Sequence, residues 1–374
     1  MLKFSAILSA VKPRERTQQY TILAALYFLG AHTDPVTAKS INNQLTLHLG
    51  KKAPANVNAA LRAYTSYVEV IPNGGTLQWL LTDKGLDQLR LLSGLPLTSA
   101  TPSREFDFDI GIICALEHPE FEAVEKAFGG KKAWKEIGDT RFTHVYRQCC
   151  LNTLGGESLK VVATTSTSMG LTAAAIAATQ LVLQFRPRIV VMIGIAAGTR
   201  GSDRQFGDVL IADPSIDYNS GKVVFSEGIR DFLPDPYPIG LNPRLRSVLQ
   251  KYRASNNPVM EVIRQGWKGD LPTGPNRIHI GPVGAADQVI DDPTRIIEIQ
   301  RNWRKLIGVE METYGVYRAC HESPDPKPRF VSFKSVCDFA AEKTDSWQAY
   351  ASFVAAEFAV EFLKIEWDAL WPST

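Results

Sequence analysis

From residue 108 onward the apolar positions fall into short, nearly unbroken runs. "FDIGIICAL", "LKVVATTST", "RIVVMIGIA", "DVLIADPSI", "KLIGVEME" and "RFVSFKSVCDF" each read as a strand buried on both faces. Between them lie stretches whose apolar residues recur at helical spacing: "EFEAVEKAFG", "LTAAAIAATQLVLQF", "TYGVYRACHE" and the long closing "SWQAYASFVAAEFAVEFLKIEW". Continuous apolar strands alternating with helices predict a three-layer α/β domain covered on both faces of its sheet.

The chain before this has a different rhythm. "TQQYTILAALYFLGA" is an amphipathic helix ending at Gly30, and "DPVTAKSINNQLTLHLG" is a second, capped by Asp34 or Thr37 and stopped at Gly50. "PANVNAALRAYTSY" is a third helix. "VEVIPNGGTLQWLLT" is two strands around an "NGG" turn, and "TDKGLDQLRLLSG" returns to helix behind Thr82 or Asp83. Three helices, a hairpin and a closing helix resemble a winged helix-turn-helix module. The Ser-, Thr- and Pro-rich "SGLPLTSATPSREFD" that follows is linker chemistry. The predicted organisation is a winged-helix-like domain over 1–95, a linker over 96–106 and an α/β domain over 107–374.

Charge separates the two parts. Up to Leu95 there are 10 basic and 5 acidic residues; the rest of the chain has 31 and 34. A local excess of positive charge invites a DNA-binding reading, with the third helix in the major groove. That helix, however, carries only Arg62, with Lys51 and Lys52 just before it, and the hairpin has no basic residue. Phosphate contacts from Lys and Arg supply most DNA affinity. The module is therefore expected to contact protein, within a homo-oligomer or with a regulatory partner, and DNA is the lesser reading.

The whole chain of 374 residues has a formal net charge of +2 and is 45% hydrophobic, an ordinary globular composition. Its five cysteines, at 114, 149, 150, 320 and 337, form no CxxC pair and read as free thiols of a reducing compartment. No unbroken apolar run approaches the ~20 residues of a membrane span. These features predict a cytoplasmic protein without membrane contact, metal or cofactor.

Several chemistries are excluded by motif. No GxGxxG follows the first strand, no GxxxxGK[ST] occurs, and HExxH and GxSxG are absent. His118 stands in a predicted site loop but has no partner histidine at ligand spacing. What remains is a set of carboxylates at strand ends: Glu117 or Glu120, Glu310, Glu312 and Asp338.

At these strand ends the sequence resembles the nucleoside phosphorylase/nucleosidase superfamily, which includes methylthioadenosine/adenosylhomocysteine nucleosidases. The resemblance rests on "IGIICALEHPEFEAV" (110–124), "VVMIGIAAGTRGSDRQFGDVLIAD" (190–213), "VGAADQVIDD" (283–292), "GVEMETYGVYRA" (308–319) and "KSVCDFAAEKTDSWQAYASFVAAEFA" (334–359), in family order. It spans roughly Asp107 to Leu370, and its last motif looks most like phosphorylase-type modules of antiphage effector proteins. It implies a mixed central sheet and cleavage of a purine nucleoside or nucleotide at its N-glycosidic bond. It also implies catalytic roles for Asp338 and Glu120, with Glu117 in reserve, and substrate binding by Met169, Gly194, Val289, Ile290, Glu310, Met311 and Glu312. Arg200 and Arg204 are candidate phosphate contacts of a bound nucleotide.

The chemistry fits these residue types. Breaking the bond develops an oxocarbenium-like sugar and a negative purine. A carboxylic acid near the purine N7 neutralises the leaving group, and a carboxylate opposite activates water. Asp338, ending an apolar strand, suits the acid, because burial raises a carboxyl pKa. Glu312 suits the ribose hydroxyls. Glu310 and Glu312 are equally placed to cap the helix beginning near Thr313. Phosphorylases of the superfamily hold phosphate with an arginine and a Ser/Thr near the central glycine turn. The matching positions here are Met192 and Ile195, which lack charge-assisted donors, so water is the expected nucleophile. The remaining alternatives are a purine-sensing regulator without turnover and a phosphate-dependent phosphorylase.

Overall fold

The structure is a computed structural model. It describes residues 4–12, 16–31, 35–50, 53–54, 56–73, 76–95, 97, 106–138, 142–200, 204–226, 228–255, 258–339 and 345–371. Asp34, Lys51, Lys52, the turn glycines 74 and 75, and linker residues 98–105 lie outside it. The chain divides into two compact units, Met1–Glu105 and Phe106–Thr374.

The first unit contains α1 (Phe4–Ser9), α2 (Gln18–Phe28), β1 (Val36–Thr37), α3 (Ala38–Leu49), α4 (Val57–Ala63), β2 (Val68–Asn73), β3 (Thr76–Leu81) and α5 (Asp83–Ser93). Side-chain caps start the helices where the sequence offers them. Thr17 accepts from the Tyr20 N–H, Thr37 from Ser40, Asn56 from Ala59 and Thr82 from Gly85, at 3.0–3.2 Å. β2 and β3 form the hairpin, and β1 adds to β3, so the antiparallel order is β1-β3-β2. Tyr20, Leu23, Leu26, Ile41, Leu45, Leu61 and Trp79 make its core. The sequence pattern missed α1 and the two-residue β1.

The second unit is built on a nine-stranded mixed sheet. Its elements in chain order are β4 (Phe108–Cys114), a one-turn π-type helix (Glu117–Phe121), α6 (Glu122–Ala127), β5 (Lys135–Ile137), β6 (Tyr146–Asn152), β7 (Ser158–Thr165), α7 (Leu171–Phe185), β8 (Pro187–Gly198) and β9 (Val209–Asp217). A hairpin of β10 (Gly221–Ser226) and β11 (Ile229–Pro234) follows, then α8 (Pro243–Ala254), α9 (Val259–Gly266), β12 (Ile278–Ala285), α10 (Pro293–Asn302), β13 (Gly308–Glu310), α11 (Thr313–His321), β14 (Arg329–Phe339) and α12 (Gln348–Leu370). The sheet order is β13-β12-β9-β14-β8-β4-β7-β6-β5, and β13 also pairs with β8. That extra pairing is antiparallel and closes five strands on themselves, so the short β13 lies against the carboxyl end of β8, where β14 also ends.

The layers follow from strand alternation. On β14, Phe330 and Ser332 face Tyr317 of α11, whereas Phe333 packs on Phe358 and Phe362 of α12. Helices α7 and α11 thus cover one face, and α12 with α6, α8 and α9 covers the other. Both faces being covered explains why these strands read as unbroken apolar runs. No helix among the described residues is long and apolar enough to cross a membrane.

Candidate active site

The site forms where β4, β8, β13 and β14 end. After β4 the chain tightens into the π-type turn Glu117–Phe121, which points Glu120 inward and Glu117 outward. The Glu120 carboxylate is buried and held by backbone: Oε2 accepts from the N–H groups of Ala115 (2.8 Å) and Leu116 (2.9 Å), and Oε1 from Ile195 (2.9 Å). Glu117 is instead exposed and paired with Arg147 at 2.8 Å. Of the two glutamates weighed from sequence, Glu120 is the one brought to the strand ends.

Gly194 makes this placement feasible. A Cβ there would collide with the Glu120 carboxylate, whose Cδ would lie at 2.6 Å. Its part is therefore to leave room for Glu120; it does not itself line the cavity, as the sequence reading expected it to do in binding substrate.

Glu310 ends β13 and Glu312 precedes α11. The Glu310 carboxylate accepts from the backbone N–H groups of Glu312 (3.0 Å) and Thr313 (2.9 Å), so it caps α11, which was the alternative left open for both glutamates. Glu312 differs. Its Oε1 accepts from the Gly170 N–H at 3.3 Å, and its Oε2 from the Lys334 ammonium at 3.1 Å.

Asp338 reaches the site through a β-bulge. Along β14, Val336 pairs with Ala196 of β8, yet Asp338 pairs with Ala197, so Cys337 is the extra residue and Asp338 is re-aimed. The buried Cys337 thiol lies 3.6 Å from the Ala196 carbonyl and 3.7 Å from Asp338 Oδ2; burial, then the neighbouring Asp338, pushes its pKa up.

These groups surround a cavity of about 160 Å³. Glu120, Glu310, Met311, Glu312 and Asp338 line it, together with Met169, Val289 and Ile290. Met169 and Val289 are about half exposed and form its mouth, while Ile290 is buried beneath. Arg200 and Arg204 are not among the lining residues. The Arg200 guanidinium lies 4.9 Å from the Phe339 ring centroid, and Arg204 donates to the Thr199 carbonyl and hydroxyl. Both stand in the segment that follows β8.

Two residues escaped the sequence reading. Lys334 lies 1% exposed in the middle of the site, its Nζ 3.1 Å from Glu312, 3.5 Å from Glu310 and 3.9 Å from Glu120. Burial works against the ammonium, but Glu312, Glu120 and Glu310 together outweigh it and raise its pKa above the ordinary lysine value. The reverse balance holds for Glu120 and Glu310, where burial wins over Lys334 and leaves both carboxyls above their usual range. Asp287 is the second. Its Oδ1 accepts from the Leu171 N–H at 2.5 Å, capping α7 from a distant loop. Gly170, at φ +116°, packs so closely on that oxygen that a side chain would be excluded.

The sequence profile of the Phosphorylase superfamily matches residues 109–364, so the chain belongs to that superfamily. An uncharacterized protein of Sinorhizobium fredii, y4jS, is 29% identical over 253 residues, 67% of this chain and 60% of that protein. The ATP nucleosidase Cap17 of Escherichia coli is 27% identical over 224 residues, 57% of this chain and 43% of its own length. The chain thus spans less than two thirds of the length of either relative. Among solved structures, the 5′-methylthioadenosine/S-adenosylhomocysteine nucleosidase of Helicobacter pylori shares the fold, with a TM-score of 0.53, 18% identity, and coverage of 69% of this chain and 98% of that one.

Proposed function

We propose that the chain hydrolyses the N-glycosidic bond of a purine nucleoside or nucleotide, releasing free base and ribose or ribose phosphate. The observation that carries this reading is the convergence of Glu120, Glu312 and Asp338 on one cavity. Asp338 donates a proton to the departing purine, Glu120 accepts one from water, and Glu312 accepts the ribose hydroxyls. Val289, Ile290, Met169 and Met311 supply apolar walls for base and sugar. The named nucleosidase among the relatives agrees with this chemistry.

Water, not phosphate, is the nucleophile in this reading. Met192 is fully buried in the sheet, and the Ile195 N–H is already used by Glu120. The nearby ammonium of Lys334 is shared among three carboxylates. A phosphate dianion there would meet that negative cluster, and among the described residues the cation beside it, Lys334, is already committed. Incubation with a panel of purine nucleosides and nucleotides in phosphate-free buffer is expected to release free base and free sugar, followed by chromatography. A sugar 1-phosphate formed only on adding phosphate would establish phosphorolysis instead, and no base release from any substrate would favour a sensor.

The first unit is, in this reading, a winged-helix-like protein-contact module, serving a homo-oligomer or a regulatory partner. The outward face of α4 offers a single cation, Arg62, and β2 and β3 offer none. Titration of the full chain against random and genomic duplex at near-physiological salt is expected to show weak binding without sequence preference. Specific binding at least ~10³-fold over random duplex would make the module a DNA reader.

A further inference from the structure

Lys334 is an almost fully buried cation, placed among carboxylates from two separate parts of the chain. It stands on β14 directly beside Gly194 of β8, its Cα partner, which is the position whose missing Cβ admits Glu120. Its ammonium is within 4 Å of Glu120, Glu310 and Glu312, each of which is itself buried. Isolated buried charge is strongly disfavoured, and two carboxylates that share a site cannot both stay ionised without a compensating cation. The backbone does part of this work. Three N–H groups point at Glu120 and two residues' N–H groups at Glu310. Among the described residues Glu312 has one backbone donor, from Gly170, and its other partner is Lys334.

We propose that Lys334 is a positioning residue of this site: its ammonium favours the ionised form of Glu120 where three carboxylates are buried together, and it fixes Glu312 in its orientation toward the cavity. The inference rests on the nucleosidase reading for its consequence, since an ionised Glu120 is what accepts a proton from water. The other titratable groups facing Glu120 do not supply the same effect. Cys114 beneath it is a buried thiol whose pKa is pushed well up, first by burial and then by Glu120 itself. Cys337 is likewise held neutral, Asp338 on the same strand supplies no cation, and Glu117 on the same turn is paired outward with Arg147. Lys334 is thus the one cation among the described residues within ion-pair distance of Glu120.

The test follows the protonation of Glu120 directly, in the full chain carrying 13C-carboxyl glutamate, with Glu120→Gln identifying the resonance. In Lys334→Met the Glu120 midpoint is expected to rise by about 1–3 pH units, the size of effect an adjacent opposite charge has on a carboxylate. Lys334→Arg, which restores the charge, is expected to return it toward the parent value. The acid limb of the kcat/KM profile should move to higher pH in step with the Met variant, because the working form of Glu120 is then lost earlier as pH falls. An unchanged midpoint in Lys334→Met overturns the proposal. Should that variant not fold, Lys334→Gln combined with Glu310→Gln keeps the formal charge of the cluster and is judged by the same midpoint. The spectrum reads Glu120 whether or not any nucleoside is turned over. A shifted midpoint in a protein without nucleosidase activity would therefore uphold Lys334 and sink the functional reading alone.

Discussion

An Asp338→Asn protein is expected to fold as the parent does and to release free base about 10²–10⁴-fold more slowly, the usual contribution of a positioned general acid. The amide keeps the shape of the carboxyl at the end of β14 and most of its hydrogen-bonding reach, but it has no proton to deliver to the purine. The bulge at Cys337 argues that this placement is specific, since it gives β14 one residue more than β8 and sets Asp338 against Ala197 at the cavity edge. Single-turnover base release, with a urea unfolding curve alongside, separates chemistry from folding. A variant with near-parental rate would remove Asp338 from the reaction.

Glu120→Gln is expected to lose a similar factor of about 10²–10⁴ in rate, and also to lose stability. Both carboxylate oxygens accept backbone N–H groups, Oε2 from Ala115 and Leu116 and Oε1 from Ile195. A glutamine has one acceptor oxygen, so its NH2 must face at least one of those donors, and a buried donor left without its partner costs about 1–3 kcal/mol. Glu117→Gln is the control. Its exposed pair with Arg147 is worth at most about 1 kcal/mol, and neither rate nor unfolding midpoint should change appreciably. The opposite pattern, a silent Glu120→Gln and a crippled Glu117→Gln, would transfer the role of base.

Much of the α/β unit was legible because its strands are covered on both faces. "LTAAAIAATQLVLQF" and "RFVSFKSVCDF" coincide with α7 and β14 to the residue. The pattern was silent where apolar runs are short or interrupted. β12 is broken by Gly281, Pro282 and a register shift, β6 alternates buried and exposed positions, and the β10–β11 hairpin is largely exposed. Helices α8 and α10 each begin with a proline behind a side-chain cap, a start signal the sequence reading passed over. At the site, the carboxylates were visible because they close recognisable strands. Lys334 was not, since a lone lysine in a strand ordinarily marks a solvent-facing position. The clue was its setting within "FVSFKSV", a strand with no solvent face, where a cation requires partners that only the fold can bring from residues 120, 310 and 312.

Gly170 and Leu171 are consecutive residues, and their two N–H groups go to two different carboxylates, Glu312 at the sugar end and Asp287 on the loop that carries Val289 and Ile290. Two successive peptide units at the head of α7 therefore act as a crossbar between the part of the cavity proposed for the base and the part proposed for the ribose. Slackening the base-side loop tilts that crossbar and shifts the acceptor meant for the sugar. Under the proposed function, preference for one purine over another and preference for one sugar over another are expected to change together.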